Sequence, residues 1–244
     1  MKLSKAEIKR YRALKEKKFR DQEGLFIAEG AKCVEELQKG FELVQLIDGS
    51  NATPTELEQL SSLRTPQGVI GIFRQREANI AKPISRSQYR EANITQLTLA
   101  LDGIQDPGNL GTIIRTADWF GVRLIVASRE TADCYNPKVV QATMGALARV
   151  RIIYKEDLRA WIEAQHCPVI GTLLEGKDMY TTPLPRDGQV ILVMGNEGNG
   201  ITDEVRQCIT HAIKIPSYPK DAETSESLNV AIATAIMLHE LRRP

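Results

Sequence analysis

The side chains in this chain best placed for chemistry lie on three loops rich in glycine, proline and small polar residues. The first is Asp106-Pro107-Gly108-Asn109-Leu110-Gly111, which offers Asn109, with Arg115 one and a half helical turns further on. The second, Gly195–Gly200, stands in the stretch Val-Ile-Leu-Val-Met-Gly-Asn-Glu-Gly-Asn-Gly-Ile (190–201) and offers Glu197. The third begins at Ile215-Pro216 and closes with Ser225-Glu226-Ser227-Leu228-Asn229-Val230, offering Ser227 and Asn229. Glycines at the density of the second loop let a ligand approach the main chain closely. An amide, a guanidinium, a carboxylate and a hydroxyl can orient a substrate and stabilise developing charge. No Ser-His-Asp order, carboxylate pair or Walker loop is present, so hydrolase and NTPase chemistry finds no support. Each residue also has a structural reading. Asn109 could cap a helix, Arg115 could sit in a surface ion pair, and Ser227 and Asn229 could cap the last helix.

The elements around these loops follow a strand–helix alternation. Leu97–Leu101, Arg123–Ala127, Val150–Tyr154, Val169–Leu173, Val190–Met194 and Ala212–Ile215 read as strands. Leu110–Phe120, Pro137–Leu147, Glu156–Gln165 and Leu228–Leu241 read as helices, and Thr202-Asp203-Glu204 as a capped helix start. Strands alternating with helices predict a parallel sheet with right-handed crossovers. All three loops follow strands, and the carboxyl ends of parallel strands share one edge, where ligands bind. A nicotinamide-dependent oxidoreductase would want G-x-G-x-x-G after the first strand, and Asp102–Gly111 does not supply it.

A smaller α/β unit precedes this domain, with a strand and turn at Gly24–Gly30, a helix at Ala31–Lys39, a strand at Phe41–Asp48, a helix at Pro54–Leu63 and a strand after Pro66. The reading divides the chain into residues 1–77, a polar linker at 78–96 and a domain at 97–244. Residues 1–20 hold nine cations opposed by Glu7 and Glu16 alone, a segment charge of +7 in a chain whose net charge is only +1. With Tyr11 and Phe19 interleaved, the segment suits an RNA backbone; equally, it suits a solvated helix with Ile8, Tyr11 and Leu14 turned inward. No apolar run approaches the roughly 18 residues of a membrane span. The N-terminus lacks the apolar stretch of a secretory signal. Cys33, Cys134, Cys167 and Cys208 are widely spaced and read as reduced thiols of a cytoplasmic protein; with His166, His211 and His239 they show no metal-ligand spacing, so no metal is expected.

Three stretches carry a resemblance. D-x-x-x-D-P-G-N-L-G-x-I-x-R-T-A (102–117), M-G-N-E-G-N-G-I (194–201) and I-P…S-L-N-V-A-I-A-x-A-I (215–236) resemble the three motifs of the SpoU/TrmH family, SPOUT-class RNA ribose 2′-O-methyltransferases that use S-adenosylmethionine. F-I-A-E-G-A-K-x-V-E-E-L (26–37) and T-P-Q-G-V-I-G (65–71) are similar to that family's accessory RNA-binding domain. The resemblance implies a C-terminal parallel-sheet SPOUT domain with a deep trefoil knot over about 190–235, a homodimer formed through that domain, and no membrane. It implies catalytic or pocket-shaping roles for Arg115, Asn109, Glu197, Ser227 and Asn229, with Arg115 matching the family's catalytic arginine. It implies cofactor binding at Thr172, Leu173, Gly195, Asn196, Gly200, Ile215, Pro216 and Leu228. The implied substrate is structured RNA, 23S ribosomal RNA before transfer RNA. A non-catalytic RNA-binding protein on the same fold is the alternative, and the intact polar motif residues argue against it.

Overall fold

Alternation along the central strands builds the C-terminal unit. In the computed structural model, which describes residues 2–63, 65–76, 96–219, 225 and 227–243, the segments Gln96–Asp102 (β4) and Gln189–Gly195 (β8) lie side by side in parallel. Successive side chains of a strand point to opposite faces. Leu97, Leu99 and Leu101 of β4 and Val190, Leu192 and Met194 of β8 enter one core, while Ala100, Ile191 and Val193 enter another on the reverse face. A strand buried on both sides reads as a nearly continuous apolar run, as Val190–Met194 of β8 does; β4 interrupts its run with the buried polar residues Thr98 and Asp102.

Leu124–Ser128 (β5), Arg151–Lys155 (β6), Val169–Asp178 (β7) and His211–Lys214 (β9) complete a six-stranded parallel sheet in the order β6-β5-β4-β8-β7-β9. Pro107–Trp119 (α5), Pro137–Thr143 (α6) and Val230–Arg242 (α9) cover the first face; Leu158–Glu163 (α7) and Asp203–Arg206 (α8) cover the second. The chain runs from β4 outward to β6 and then returns to the other side of β4. The β4/β8 boundary is thus the switch point at which α/β sheets open a crevice.

The six strands, their order along the chain and their parallel direction match the sequence expectation. Two elements differ. The helix expected over Pro137–Leu147 stops at Thr143, because Met144 (φ 50°) and Gly145 (φ 86°) both take left-handed conformations before a short 3-10 turn at Ala146–Ala148. A β-carbon on Gly145 would stand 2.3 Å from Cβ of Glu36, so this break is shaped by packing against the N-terminal unit. The second difference is β7, which runs five residues past Leu173.

The N-terminal unit consists of Lys5–Ala13 (α1), Lys17–Glu23 (α2), Leu25–Glu29 (β1), Ala31–Gln38 (α3), Leu43–Ile47 (β2), Pro54–Leu60 (α4) and Ile70–Arg74 (β3), with an antiparallel sheet ordered β1-β3-β2. Ile8, Tyr11 and Leu14 pack beneath this sheet with Leu25, Ile27, Ile70 and Ile72. Tyr11 is therefore a core residue and not a platform for a base. The other face of the sheet does not close on itself. Phe26, Phe41 and Phe73 enter the same core as Leu99, Ile113 and Val139 of the C-terminal unit. Phe26 and Phe41 meet Tyr135 with ring centroids 4.8 and 6.2 Å apart.

Polar contacts run along the same seam. Arg20, expected among the exposed cations, is 1% exposed. Its Nη2 donates to Asp133 Oδ2 at 2.6 Å and its Nη1 to the carbonyls of Leu14 and Lys15, both at 2.9 Å. Arg76 stacks 4.3 Å from the Phe41 ring and donates to the Ala148 carbonyl. The expected linker lies outside the described residues apart from Gln96, which opens β4. All four cysteines are free thiols, and burial pushes Cys33 and Cys134 up to about 11 and about 12. Among the described residues no helix is long and apolar enough to cross a membrane.

Candidate active site

A cleft of about 340 Å³ opens over the carboxyl ends of β7, β8 and β9. Its wall is made by Thr172 to Glu175 of β7, the loop from Gly195 to Ile201, the end of β9 with Ile215, and Ser227, Leu228, Val230 and Ala233 at the entry to α9. Seven of the eight residues assigned to a cofactor by motif line it: Thr172, Leu173, Gly195, Asn196, Gly200, Ile215 and Leu228. Pro216 stands outside the lining. The Thr172 hydroxyl points across the floor to Met194 Sδ at 3.7 Å.

The glycine loop is tied into a closed turn. Asn196 and Gly200 exchange main-chain hydrogen bonds of 2.8 and 3.0 Å. The Asn196 side chain accepts from the amides of Gly198 and Asn199, and its Nδ2 donates to the Gly103 carbonyl at 2.6 Å. Asn196 thus holds the second loop to the first. Gly195 is required by the protein's own backbone. A β-carbon there would lie 2.3 Å from the carbonyl carbon of Gly200 and from the amide nitrogen of Ile201.

Of the five residues assigned to chemistry, the fold brings four together. Glu197 and Ser227 line the cleft. Asn109 Nδ2 donates to Glu197 Oε1 at 2.9 Å, and Asn229 Nδ2 donates to Asn109 Oδ1 at 2.9 Å. One hydrogen-bonded run therefore crosses all three loops. Asn109 is not the cap of α5; Asp106 is, accepting the Asn109 amide at 2.8 Å. That leaves the Asn109 side chain free to orient the Glu197 carboxylate. Asn229 serves twice. Its Oδ1 caps α9 through the amides of Ala231 and Ile232, and its Nδ2 joins the run.

Arg115 is placed apart. It lies six residues beyond Asn109 on α5, about 9 Å along the axis at 1.5 Å per residue, exposed and outside the cleft lining. Among the described residues it makes no hydrogen bond or ion pair, so the surface-pair reading finds no partner here.

Asp102 opens the first motif but is given no role by the sequence reading. It is 4% exposed at the end of β4, and its Oδ2 accepts both the amide and the hydroxyl of Thr202 at 2.8 Å. The sequence expectation gives Thr202 the side-chain cap of α8; that hydroxyl is instead bound to Asp102, and the helix has no side-chain cap. The pairing across a hundred residues fixes where the second loop ends. A buried aspartate closing an apolar strand is the signal that could have marked it. No group of three or more His, Cys, Asp or Glu is arranged to hold a metal ion among the described residues.

A parallel α/β sheet with a glycine-closed cleft over the carboxyl ends of its strands, bordered by three polar loops, defines a family recognisable by comparison. The model of the SpoU rRNA Methylase family matches residues 96–239, and that of the MRM3-like substrate binding domain matches residues 5–56. The chain belongs to the SpoU rRNA Methylase family. It is 28% identical to the 23S rRNA (guanosine(2553)-2′-O)-methyltransferase RlmP of Bacillus subtilis, over 96% of this chain and 95% of that one. Among solved structures it is 38% identical to a TrmH-family protein from Porphyromonas gingivalis, with a TM-score of 0.82 and 99% of each chain covered. It is 33% identical to the AdoMet-bound rRNA methyltransferase from Sinorhizobium meliloti, with a TM-score of 0.83, covering 99% of this chain and 96% of the other.

Proposed function

We propose that this chain transfers a methyl group from S-adenosylmethionine to a ribose 2′-hydroxyl of 23S ribosomal RNA, working as a homodimer through its C-terminal unit. The observation that carries the reading is the run Glu197–Asn109–Asn229, which locks the three motif loops over one cleft. Membership of an RNA methylase family sets the reaction class and its cofactor, and the similarity to 2′-O-methyltransferases acting on 23S rRNA supports the finer assignment. The trefoil knot belongs to the same proposal and rests on that membership.

The cleft suits the cofactor. Its volume falls within the range of small-molecule sites, about 300–1,000 Å³. It combines apolar walls from Leu173, Ile215, Leu228 and Val230 with loop backbone at Gly195–Gly200. When bound, S-adenosylmethionine supplies a methyl group already attached to a good leaving group. Positioning then dominates the remaining barrier. Asn109 holds Glu197 at the cleft edge, and Ser227 presents a hydroxyl on the wall of the same cleft. Arg115 serves RNA and not the cofactor. A guanidinium stays protonated, so its role is to clamp a phosphate and stabilise charge developing on the 2′-oxygen, not to accept the proton.

The N-terminal unit supplies the grip on RNA. Lys2, Lys5, Lys9, Arg12 and Lys18 are exposed, whereas Lys15 is drawn to the Gln59 carbonyl at 3.0 Å and Arg20 is buried. Replacing Lys5, Lys9 and Arg12 by Gln is expected to weaken RNA binding and to flatten its salt dependence, by roughly one logarithmic unit of slope for each phosphate that is no longer neutralised. Filter binding between low and physiological salt checks this; an unchanged slope would take these cations out of the interface.

The dimer is supported by two large apolar side chains left in water on helices that pack together, Trp119, 85% exposed at the end of α5, and Ile232, 51% exposed in the first turn of α9. Trp119→Glu is expected to convert the dimer to monomer in analytical ultracentrifugation.

Gly195→Ala is expected to cost about 1–3 kcal/mol, as overpacking does, and to weaken S-adenosylmethionine binding, because the Asn196–Gly200 turn must move away from the added methyl. Gly200 sits in open space at φ 71°. Its change to Ala carries only the left-handed penalty of about 1–2 kcal/mol and should leave the loop in place. Calorimetry with thermal melts separates the two.

The deciding experiment is transfer of labelled methyl from S-adenosylmethionine to ribosomal RNA, followed by digestion to nucleosides. Label in 2′-O-methylribose supports the proposal; label on a base overturns it.

A further inference from the structure

β7 makes an excursion that no strand partner explains. Thr172 and Lys177 both pair with Ile213 of β9, so residues 173–176 leave the ladder and return to it at the same point. Gly176 allows the return, since a β-carbon there would stand 2.5 Å from the Ile213 carbonyl carbon. The excursion carries Leu173, Leu174 and Glu175 onto the cleft wall. Across the cleft, α8 ends at Arg206, which also lines it and forms an ion pair with Glu175. Their side chains are 57% (Glu175) and 43% (Arg206) exposed, which places the pair at the mouth.

The cleft wall carries four charged residues: Glu175, Glu197, Arg206 and Lys214. Glu197 is held by Asn109. The rest of the wall is apolar side chain, loop backbone and uncharged polar groups. S-adenosylmethionine ends in an α-carboxylate and an α-ammonium on one carbon, and a cation and an anion side by side complement a zwitterion of that kind. Glu175 and Arg206 are such a couple.

We propose that Glu175 and Arg206 bind the amino-acid end of the cofactor, Arg206 receiving the carboxylate and Glu175 the ammonium. The inference rests on reading the cleft as the cofactor site. In the free protein the two side chains satisfy one another. A bound zwitterion takes up both partners, so neither charge is left unpaired. A forked guanidinium matches a carboxylate with two parallel hydrogen bonds. The excursion closed by Gly176 is what brings the acid to the cation. A regular β7 would keep residues 173–176 in the ladder.

The test uses the full chain and three ligands: S-adenosylmethionine, S-adenosylhomocysteine and 5′-methylthioadenosine, which lacks the amino-acid end. Arg206→Met is expected to weaken the first two by about tenfold or more, the loss of a hydrogen bond to a charged group, and to leave 5′-methylthioadenosine binding unchanged. Glu175→Gln should show the same selectivity. Equal losses for all three ligands would mean that the pair only shapes the cleft, and unchanged affinities would make it a surface ion pair; either result overturns the proposal. Failure of the unaltered protein to bind any of the three would overturn the cleft assignment itself, and this proposal with it.

Discussion

Arg115→Ala is expected to lower the single-turnover rate of methyl transfer by about 10²–10³, the usual loss for one pre-organised charge-stabilising donor. Cofactor affinity should hardly change, because Arg115 stands outside the cleft lining. Arg115→Lys should be nearly as impaired. A planar fork can hold a phosphate through two hydrogen bonds while facing the 2′-oxygen, and an ammonium cannot reproduce that geometry. The position is consistent with Arg115 making no hydrogen bond or ion pair among the described residues. α5 directs Asn109 into the run with Glu197 and carries Arg115 out to solvent, where RNA or a partner subunit can meet it. Rate and affinity measured together check the assignment. A rate above about a tenth of the original in Arg115→Ala would fall well short of that loss and remove Arg115 from the chemistry.

The largest effect on stability is expected at the other end of the chain. Arg20→Met removes one partner of a pair that is nearly closed to water, Arg20 at 2% and Asp133 at 13% side-chain exposure. Breaking a buried pair by deleting one member costs about 3–5 kcal/mol, because the other charge is left desolvated. Denaturant melts of Arg20→Met and Asp133→Leu should each show this loss, and the double substitution should recover much of it. A loss below about 1 kcal/mol, the level of an exposed pair, would contradict the burial. RNA binding by the folded Arg20→Met chain should keep its salt slope, which the exposed cations set. For the same reason a chain beginning at Gln96 is expected to fold poorly. It would expose Tyr135, Val139 and Leu147, which now pack beside Phe26, Phe41 and Leu37. The division into two units at the 78–96 linker thus meets a core that runs through both.

Several features of this protein are legible in the order of its residues. The strands are visible because a parallel strand buried on both faces reads as a nearly continuous apolar run, as Val190–Met194 does. The loops are visible because Gly195, Gly198 and Gly200 within six residues have few uses besides a close turn. The three motifs mark Asn109, Glu197 and Asn229 individually. Their hydrogen-bonded run is not legible, since its members stand 88 and 120 residues apart. Contacts that depend on how strands are ordered in a sheet leave no local period. By its spacing Gly195 is a place for a ligand; in the fold it is also a place where two backbone segments meet. Arg20 looks like its eight cationic neighbours, and only the seam between the units decides that it is a core residue. The excursion of β7 lies furthest from the sequence. By sequence the strand stops at Leu173, and the path from Thr172 to Lys177 is set by the register of β9, which the chain reaches more than thirty residues later. Local preference and periodicity specify elements, whereas register, burial of charge and the meeting of distant loops are settled only when those elements pack.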